Sequence, residues 1–503
     1  MPLRALPLVA ATVAFTWFGT AARAVEASPV LNRWSDVAPT DWAYQALSNL
    51  VEQTDCLAGA SGAVFAGRRA ISRDEAAALL KACLERVTVQ TDALTRLLQH
   101  FEPELAELKG RSDGLDARVA ELEATQFSTT TTLSGLLTTV LGANRFMGSA
   151  AGLRSSSNRD AGGTALAGDL QLTLETSFTG KDQLTTVLRA GNFDGDDNAF
   201  ASGGPSGLAV LETAFQEGDT PYQVVVDKLF YALPLGDSLT FTAGPVVGQE
   251  DMLAVWPSAG PSEPILDLLT LHGAPAAYNK TKGAGAGLQW SASNGFRAAL
   301  SYVAANGASS DSGSGGIGSA NAGSAATLQI GWVQERWRLA AVYSKLQNGQ
   351  GLIAFATPFT QDQLSTRGVT HAAGLSGSWQ PEQSGWIPSI SAGWGINSSD
   401  TNRAGAVATS QSWSVSLGWS DVLLAGNAAG MAVGQPVFAT EQRGSATPAD
   451  GQFIWEWWYR AQLTDSMSLT PAVFVLSRPM GQQTPSGTSF SQLGGLIKTT
   501  LEF

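Results

Sequence analysis

Charge, histidine and cysteine are all scarce in this 503-residue chain. Charged residues make up only 15%, against the quarter usual in soluble domains. Acidic residues outnumber basic ones, 43 to 30, for a formal net charge of -13. That balance excludes a nucleic-acid binder, which needs a basic face to meet phosphates. The three histidines, His100, His272 and His371, stand far apart. No Ser/His/Asp grouping and no metal-ligand spacing accompanies them, so neither an enzyme, a metal centre nor a cofactor is expected. His272, between Leu271 and Gly273, reads as a loop residue rather than a base. Beyond the N-terminus no stretch offers the roughly 18 continuous apolar residues that a spanning helix needs.

What is present begins with an export signal. Arg4 is followed by an apolar run from Leu6 to Gly19, and Ala22-Arg23-Ala24 has the small-x-small form of a cleavage site. Residues 1–24 are therefore expected to be a signal peptide. Export favours a disulfide between the two cysteines, Cys56 and Cys83; two buried free thiols are the alternative.

Residues 31–87 read as helix, loop, helix. The first helix begins near Asp41, with Ala43, Ala46, Leu47 and Leu50 on one face. Ser72-Arg73-Asp74-Glu75 is a capping box that opens the second, whose apolar face runs through Ala76, Leu79, Leu80, Cys83 and Val87. Over 88–125, apolar residues recur at Leu94, Leu98, Phe101, Leu105, Leu108, Leu115, Val119 and Leu122. Their four-three spacing predicts a coiled-coil stalk, weakened at Pro103 and Gly114.

From residue 131 to 503 the pattern changes to period two. Leu170, Leu172 and Leu174 alternate with Gln171, Thr173 and Glu175; Trp413, Val415, Leu417 and Trp419 alternate with Ser412, Ser414, Ser416 and Gly418. Leu339, Ala341 and Tyr343 form a further short face, and Val473 and Val475 oppose Ala472 and Phe474. Small uncharged polar residues on the second face point to a membrane barrel rather than a soluble sandwich. Trp290, Trp332, Trp337, Trp394, Trp455, Trp457, Trp458 and Tyr459 suit a headgroup belt. The span, at about 22 residues per strand and connection, predicts about 16 strands around an aqueous channel. The stretch from Gly307 to Gly318 reads as a long exposed loop. Candidate lumen charges are Glu175, Lys181, Asp182, Arg189, Asp227, Lys228, Glu456, Arg460 and Lys498.

Two resemblances follow from these residues. Trp34-Ser35-Asp36-Val37, Asp41-Trp42-Ala43 and the run from Gly67 to Glu75 resemble a surface-layer homology (SLH) domain. That resemblance implies binding to pyruvylated polysaccharide attached to peptidoglycan, with Arg73 as the anion contact, Arg68 and Arg69 close to it in sequence, and Trp42 as a sugar or packing contact. Only one such module is visible, so association of chains would be needed to strengthen its grip. Gln126 to Leu133, the run from Leu174 to Asp182, Arg189-Ala190-Gly191-Asn192-Phe193, and Trp458-Tyr459-Arg460 with Leu469 to Phe474 resemble the cyanobacterial outer-membrane porins, also labelled iron-uptake or OprB-like carbohydrate-selective porins. The terminal Phe503, with Leu501 on its face, is similar to the barrel-assembly signal of outer-membrane proteins.

Together the resemblances imply a mainly β protein: a small helical domain and a stalk before an outer-membrane barrel, with the N-terminal domain in the periplasm. They imply a homotrimer in contact with outer-membrane lipids, a passive channel for small solutes and inorganic ions, and a tie between outer membrane and wall. Two alternatives stay open: a tether whose barrel is plugged by inward-folding Gly- and Ser-rich segments, and a substrate-specific sugar or iron transporter.

Overall fold

The computed structural model describes residues 37–54, 70–84, 91–125, 130–217, 220–256, 265–348, 355–364, 368–383 and 385–503. The chain divides into two units, 1–126 and 127–503.

The described part of the first unit is helical: α1 (Trp42–Thr54), α2 (Arg73–Leu84), α3 (Asp92–His100) and α4 (Glu102–Thr125). The capping box forms in both directions. The Glu75 amide donates to Ser72 Oγ (3.1 Å), and the Ser72 amide donates to the Glu75 carboxylate (3.0 Å). Thr91 Oγ1 accepts from the Leu94 amide (3.3 Å) and starts α3. Leu47, Ile71, Ala76, Leu80, Leu94, Leu97 and Phe101 form the core. Half of the heptad-like seam is therefore used inside this unit, together with Leu97, which lies off the seam. The chain leaves helical geometry at Phe101 and restarts with Pro103 in the first turn of α4, where a missing N–H costs nothing. Leu115, further along the seam, is exposed. Cys83 is buried and disulfide-bonded. Cys56, Arg68 and Arg69 lie outside the described residues.

The second unit is a closed antiparallel barrel of sixteen strands, the number expected from its length. They are β1 (Thr131–Met147), β2 (Thr164–Thr176), β3 (Gln183–Gly191), β4 (Val225–Leu235), β5 (Leu239–Gly248), β6 (Lys282–Ser291), β7 (Phe296–Ala304) and β8 (Ser324–Val333). The second half comprises β9 (Trp337–Gln347), β10 (Val369–Trp379), β11 (Ser389–Ser399), β12 (Val407–Ser420), β13 (Ala428–Gln442), β14 (Phe453–Thr464), β15 (Met467–Ser477) and β16 (Ser491–Glu502). Each strand pairs with its sequence neighbours and β16 pairs with β1. The Phe503 amide and carbonyl bond to Gly135, and the Phe503 ring lies where a Cβ on Gly135 would be 2.3 Å away. Glycine at 135 thus leaves room for the aromatic terminus at the seam.

The two rims differ. One carries turns such as 236–238, 292–295, 334–336 and 465–466; the other carries the connections 192–224, 249–281, 305–323 and 348–368. The stretch from Gly307 to Gly318 lies in the third of these, mostly exposed. Short turns on one rim and long loops on the other are the asymmetry of outer-membrane barrels.

Period two fixes the faces. Leu166, Leu300, Leu328, Ile330, Leu339 and Leu375 point outward and are exposed, while Ser344, Ser412, Thr327 and Gln329 point inward and are buried. Trp290, Trp332, Trp337, Trp394 and Trp457 lie on the outer face. Trp458 does not: it shares the inner face of β14 with Ile454 and Glu456, is buried, and fills the space above Gly430. In the run Trp455-Glu456-Trp457-Trp458 successive side chains alternate faces, so neighbouring tryptophans in sequence cannot share one belt.

The interior is not simply water-filled. The described residues of the connections after β3, β5 and β9 fold inward. Phe193, Phe200, Leu208, Leu211, Ile265, Leu266 and Leu269 pack against the inward side chains Val140, Ile454, Phe474, Leu476 and Leu496. A second cluster joins Leu271, Ala277 and Tyr278 to Val342, Leu346, Val407 and Val437. Glycines and serines among these segments do not mark exposed loops alone; they let backbone run close to the wall.

Candidate functional site in the barrel interior

The inner wall has a charged side and a neutral side. On the charged side, Asp169 of β2 is fully buried and receives Arg189 of β3 through two contacts, Nε at 2.8 Å and Nη2 at 3.0 Å. Gln171 Nε2 adds a third donor at 2.8 Å. Arg189 also lies 3.9 Å from the Asp227 carboxylate of β4, which pairs with Lys282 of β6. The ring of Phe215, from the β3–β4 connection, receives the Arg189 guanidinium at 4.3 Å and the Lys282 ammonium at 5.9 Å. A planar guanidinium suits both the two-point carboxylate contact and the ring face. Beside this network, Lys228 reaches Glu250 (3.1 Å) and Asp251 (2.7 Å) in the short 3-10 turn Glu250–Met252. Lys280 reaches Asp267 (2.6 Å) and Glu212 (3.9 Å), joining the first two inward connections.

On the neutral side, amides and hydroxyls hold the β5–β6 connection as an extra strand would be held. Gln329 of β8 takes both backbone groups of Val255: Nε2 donates to its carbonyl (2.7 Å) and Oε1 accepts from its amide (2.9 Å). Ser344 of β9 donates to the Ala277 carbonyl (2.8 Å), and Ser412 of β12 to the Gly273 carbonyl (2.8 Å). Tyr278 and Ser376 of β10 share a bond of 2.9 Å. Glu456 of β14 accepts from the Leu266 amide (2.9 Å). At Gly393 of β11 a Cβ would stand 1.8 Å from the His272 carbonyl, so only glycine admits the segment there. His272 is buried edge-on to Trp256 and Tyr278, as a packed loop residue. Asp450 fixes the β9–β10 connection, where α6 (Ala151–Ala161 being α5) spans Pro358–Leu364: it accepts from Thr357 Oγ1 (2.5 Å), Thr360 Oγ1 (2.7 Å) and the Ala439 amide (2.9 Å).

Six of the nine sequence-derived lumen charges fall into three sets. Arg189, Asp227 and Lys228 come together in the network above; Glu456 stands across the barrel as a holder of backbone; Arg460 and Lys498 face inward on β14 and β16. Glu175 is exposed at the end of β2, and Lys181 is exposed in the turn 177–182. Asp182 is a turn-former rather than a lumen charge. It accepts from Thr179 Oγ1 (2.5 Å), the Thr179 amide (2.6 Å), Ser177 Oγ (3.1 Å) and Tyr231 OH (2.5 Å). Those bonds, the Thr179 hydroxyl first and Tyr231 next, hold its carboxyl well below the usual range. Asp169, Glu212, Glu250, Asp251, Asp267, Lys280 and Lys282 were not singled out by the sequence reading. Asp169 was reachable, since it shares the face of Gln171, Thr173 and Glu175; the others lie in or beside connections whose inward course no periodicity announces.

In the helical unit, Arg73 is occupied. Its Nε and Nη2 lie 2.5 and 3.3 Å from the Glu104 carboxylate, and Nη2 also donates to the His100 carbonyl (2.6 Å). Trp42 is 41% exposed, edge-on to His100, with the Arg96 guanidinium 5.0 Å over its ring. No group of three or more His, Cys, Asp or Glu able to hold a metal occurs among the described residues.

Comparison with known proteins gives a family and relatives. The family model described as carbohydrate-selective porin, OprB family, matches residues 90–503. The uncharacterized protein alr4550 of Nostoc is 32% identical over 528 residues, covering 94% of this chain and 85% of the relative. The uncharacterized protein sll0772 of Synechocystis is 30% identical over 517 residues, covering 93% and 90%. Among solved structures, the high-pH structure of Pseudomonas putida OprB aligns with a TM-score of 0.49 at 11% identity, covering 76% of this chain and 96% of that one.

Proposed function

This chain belongs to the carbohydrate-selective porin OprB family, a family of non-catalytic pores, and from that premise we propose that it is a passive diffusion channel for small solutes and inorganic ions across an outer membrane. The observation that carries the reading is the closed sixteen-strand barrel, whose wall is hydrogen-bonded throughout and whose inner face carries buried charged groups on β2 to β6. Selectivity then comes from width and from the Asp169–Arg189–Asp227–Lys282 network, which sets fixed charges against one side of the passage.

The same reading extends to the helical unit. Its resemblance to an SLH domain supports a grip on peptidoglycan-linked, pyruvylated polysaccharide from the periplasm, with α4 as the stalk and a homotrimer restoring strength to a single module. Because Arg73 is held by Glu104 and His100, the anion contact falls to Arg68 and Arg69, its neighbours in sequence. A second reading is favoured by the two apolar clusters inside the barrel: a tether whose barrel is too narrow to conduct. A sugar- or iron-specific carrier would show saturable flux.

Single-channel recording of the purified oligomer in a planar bilayer separates these readings. Stable steps with a reversal potential under a salt gradient support the channel. Silence from inserted, folded protein rejects it in favour of the tether. Unchanged cell-wall pelleting of an Arg68→Ala/Arg69→Ala variant would remove the anchoring role.

A further inference from the structure

The short-turn rim is polar or small at 236–238, 292–295, 334–336 and 465–466. On the same rim the turn 177–182 presents a single large apolar side chain, Phe178, 67% exposed. Two neighbouring turns, 380–388 and 421–427, which flank the β11–β12 hairpin, present two each. The first presents Trp386, 98% exposed, and Ile387, 62% exposed. The second presents Leu423, 86% exposed, and Leu424, 69% exposed. These side chains are held out rather than left loose. Trp419, at the end of β12, donates its indole N–H to the Trp386 carbonyl (3.1 Å). In the other turn, Asp421 Oδ1 accepts from the Gly426 amide (2.8 Å), and Asn427 bonds the Tyr459 hydroxyl (2.7 Å) and the Gln462 amide (2.9 Å). Leu423 is kept at a φ of 66°, a left-handed conformation that leucine rarely adopts.

Large apolar side chains fixed in water are unfavourable, and a cluster of them marks a contact surface. Its position identifies the occupant. The cluster continues the outer face of β11 and β12, through Ile390, Leu417 and Trp419, past the strand ends. That outer face is the lipid-facing wall, and tryptophan is at home where headgroups meet acyl chains. The short-turn rim is the periplasmic one in barrels of this kind. The geometry points to a lipid-embedded foot: Trp386 and Ile387 of the first turn and Leu423 and Leu424 of the second enter the headgroup layer of the periplasmic phospholipid leaflet, so the β10–β13 flank sits deeper than the polar turns of the rim. This rests on the outer-membrane reading above. It also assigns that flank to lipid and not to another copy of the chain.

The test attaches an environment-sensitive fluorophore to a single introduced cysteine in the full chain, with the unsubstituted chain as blank. The protein is inserted in phosphatidylethanolamine/phosphatidylglycerol vesicles carrying a spin label near the headgroup. Leu424→Cys and Ile387→Cys report the two turns, Ser293→Cys a polar turn beside the Trp290 belt, and Leu375→Cys the wall. The expected result is a blue shift and loss of most emission at 424, 387 and 375, with Ser293→Cys unquenched. Quenching at 375 without quenching at 424 and 387 overturns the foot while leaving the membrane barrel intact. A blue shift at 424 without lipid quenching overturns it in favour of a protein partner. Absence of quenching at 375 overturns the membrane reading itself, and the foot with it.

Discussion

The inner wall from β2 to β6 and the inner wall from β8 to β14 do the same work with opposite chemistry. Both hold connections that fold into the barrel. The first uses ions: Lys228 pairs with Glu250 and Asp251, and Arg189 and Lys282, fixed on the wall by Asp169 and Asp227, meet the Phe215 ring. The second uses neutral donors and acceptors such as Gln329, Ser344 and Ser412, with Glu456 alone carrying charge to the segment backbone. A buried ion pair tolerates no missing partner, because the survivor is left charged in a poor solvent. A neutral hydrogen bond lost at one rung leaves a smaller deficit. The charged wall is therefore brittle and the neutral wall redundant.

The largest effect is expected at the charged wall. Arg189→Ala leaves Asp169 buried with only Gln171, and should destabilise the barrel by about 3–5 kcal/mol in denaturant unfolding, with the reversal potential moving toward cations. Arg189→Lys should recover part of the stability but not the two-point contact. If Arg189→Ala were as mild as a serine deletion opposite, the contrast between the walls would collapse. Gly393→Ala comes next. Its Cβ meets the His272 carbonyl at 1.8 Å, so the segment must lift, at about 1–3 kcal/mol and with larger single-channel conductance. Glu456→Leu should cost about 1–3 kcal/mol by orphaning the Leu266 amide, while Glu456→Gln, which keeps an acceptor, should stay close to the unsubstituted chain. Ser412→Ala should cost only about 0.5–1.5 kcal/mol, with conductance unchanged.

The less buried counterpart of the Arg189–Asp169 pair lies in the helical unit. There Arg73 holds the Glu104 carboxyl below its usual range, chiefly through their hydrogen bond. A depressed folded-state value means the pair stabilises above the unfolded carboxylate pKa, about 4.3, and that this contribution is lost as pH falls through the lowered value. Helical circular dichroism should thus melt at a constant temperature from neutral pH to about pH 5 and at a lower one in stronger acid. Glu104→Gln should flatten that fall, by less than about 1 kcal/mol.

Alternation made the barrel legible. In a pleated strand each residue's face follows from parity alone, so Leu170-Gln171-Leu172-Thr173-Leu174 or Trp413 to Trp419 declares its orientation without tertiary help. The capping box at Ser72 and Glu75 was equally local. Segments without a period were not legible. Leu266, Gly273 and Tyr278 look like loop residues in any window, yet partners 190, 139 and 98 positions away hold them inside the barrel. Trp458 was misplaced because the belt was read from residue type while parity placed it inside. The seam from Leu94 onward is ambiguous by nature: a helix face that can pair with another chain can also cover the core of its own unit, and Leu94 and Phe101 do the latter.

The sequence by itself determined the change from helical to strand periodicity near residue 130, the number of strands, their faces and the aromatic terminus that closes them, since each depends on spacing along the chain. Only the tertiary structure decided which charges meet, which connections turn inward and which turns stay apolar at the rim. Those outcomes depend on closure of the barrel, which brings β16 beside β1 and sets the β5–β6 connection against six separate strands; contacts at such sequence separations leave no local pattern to read.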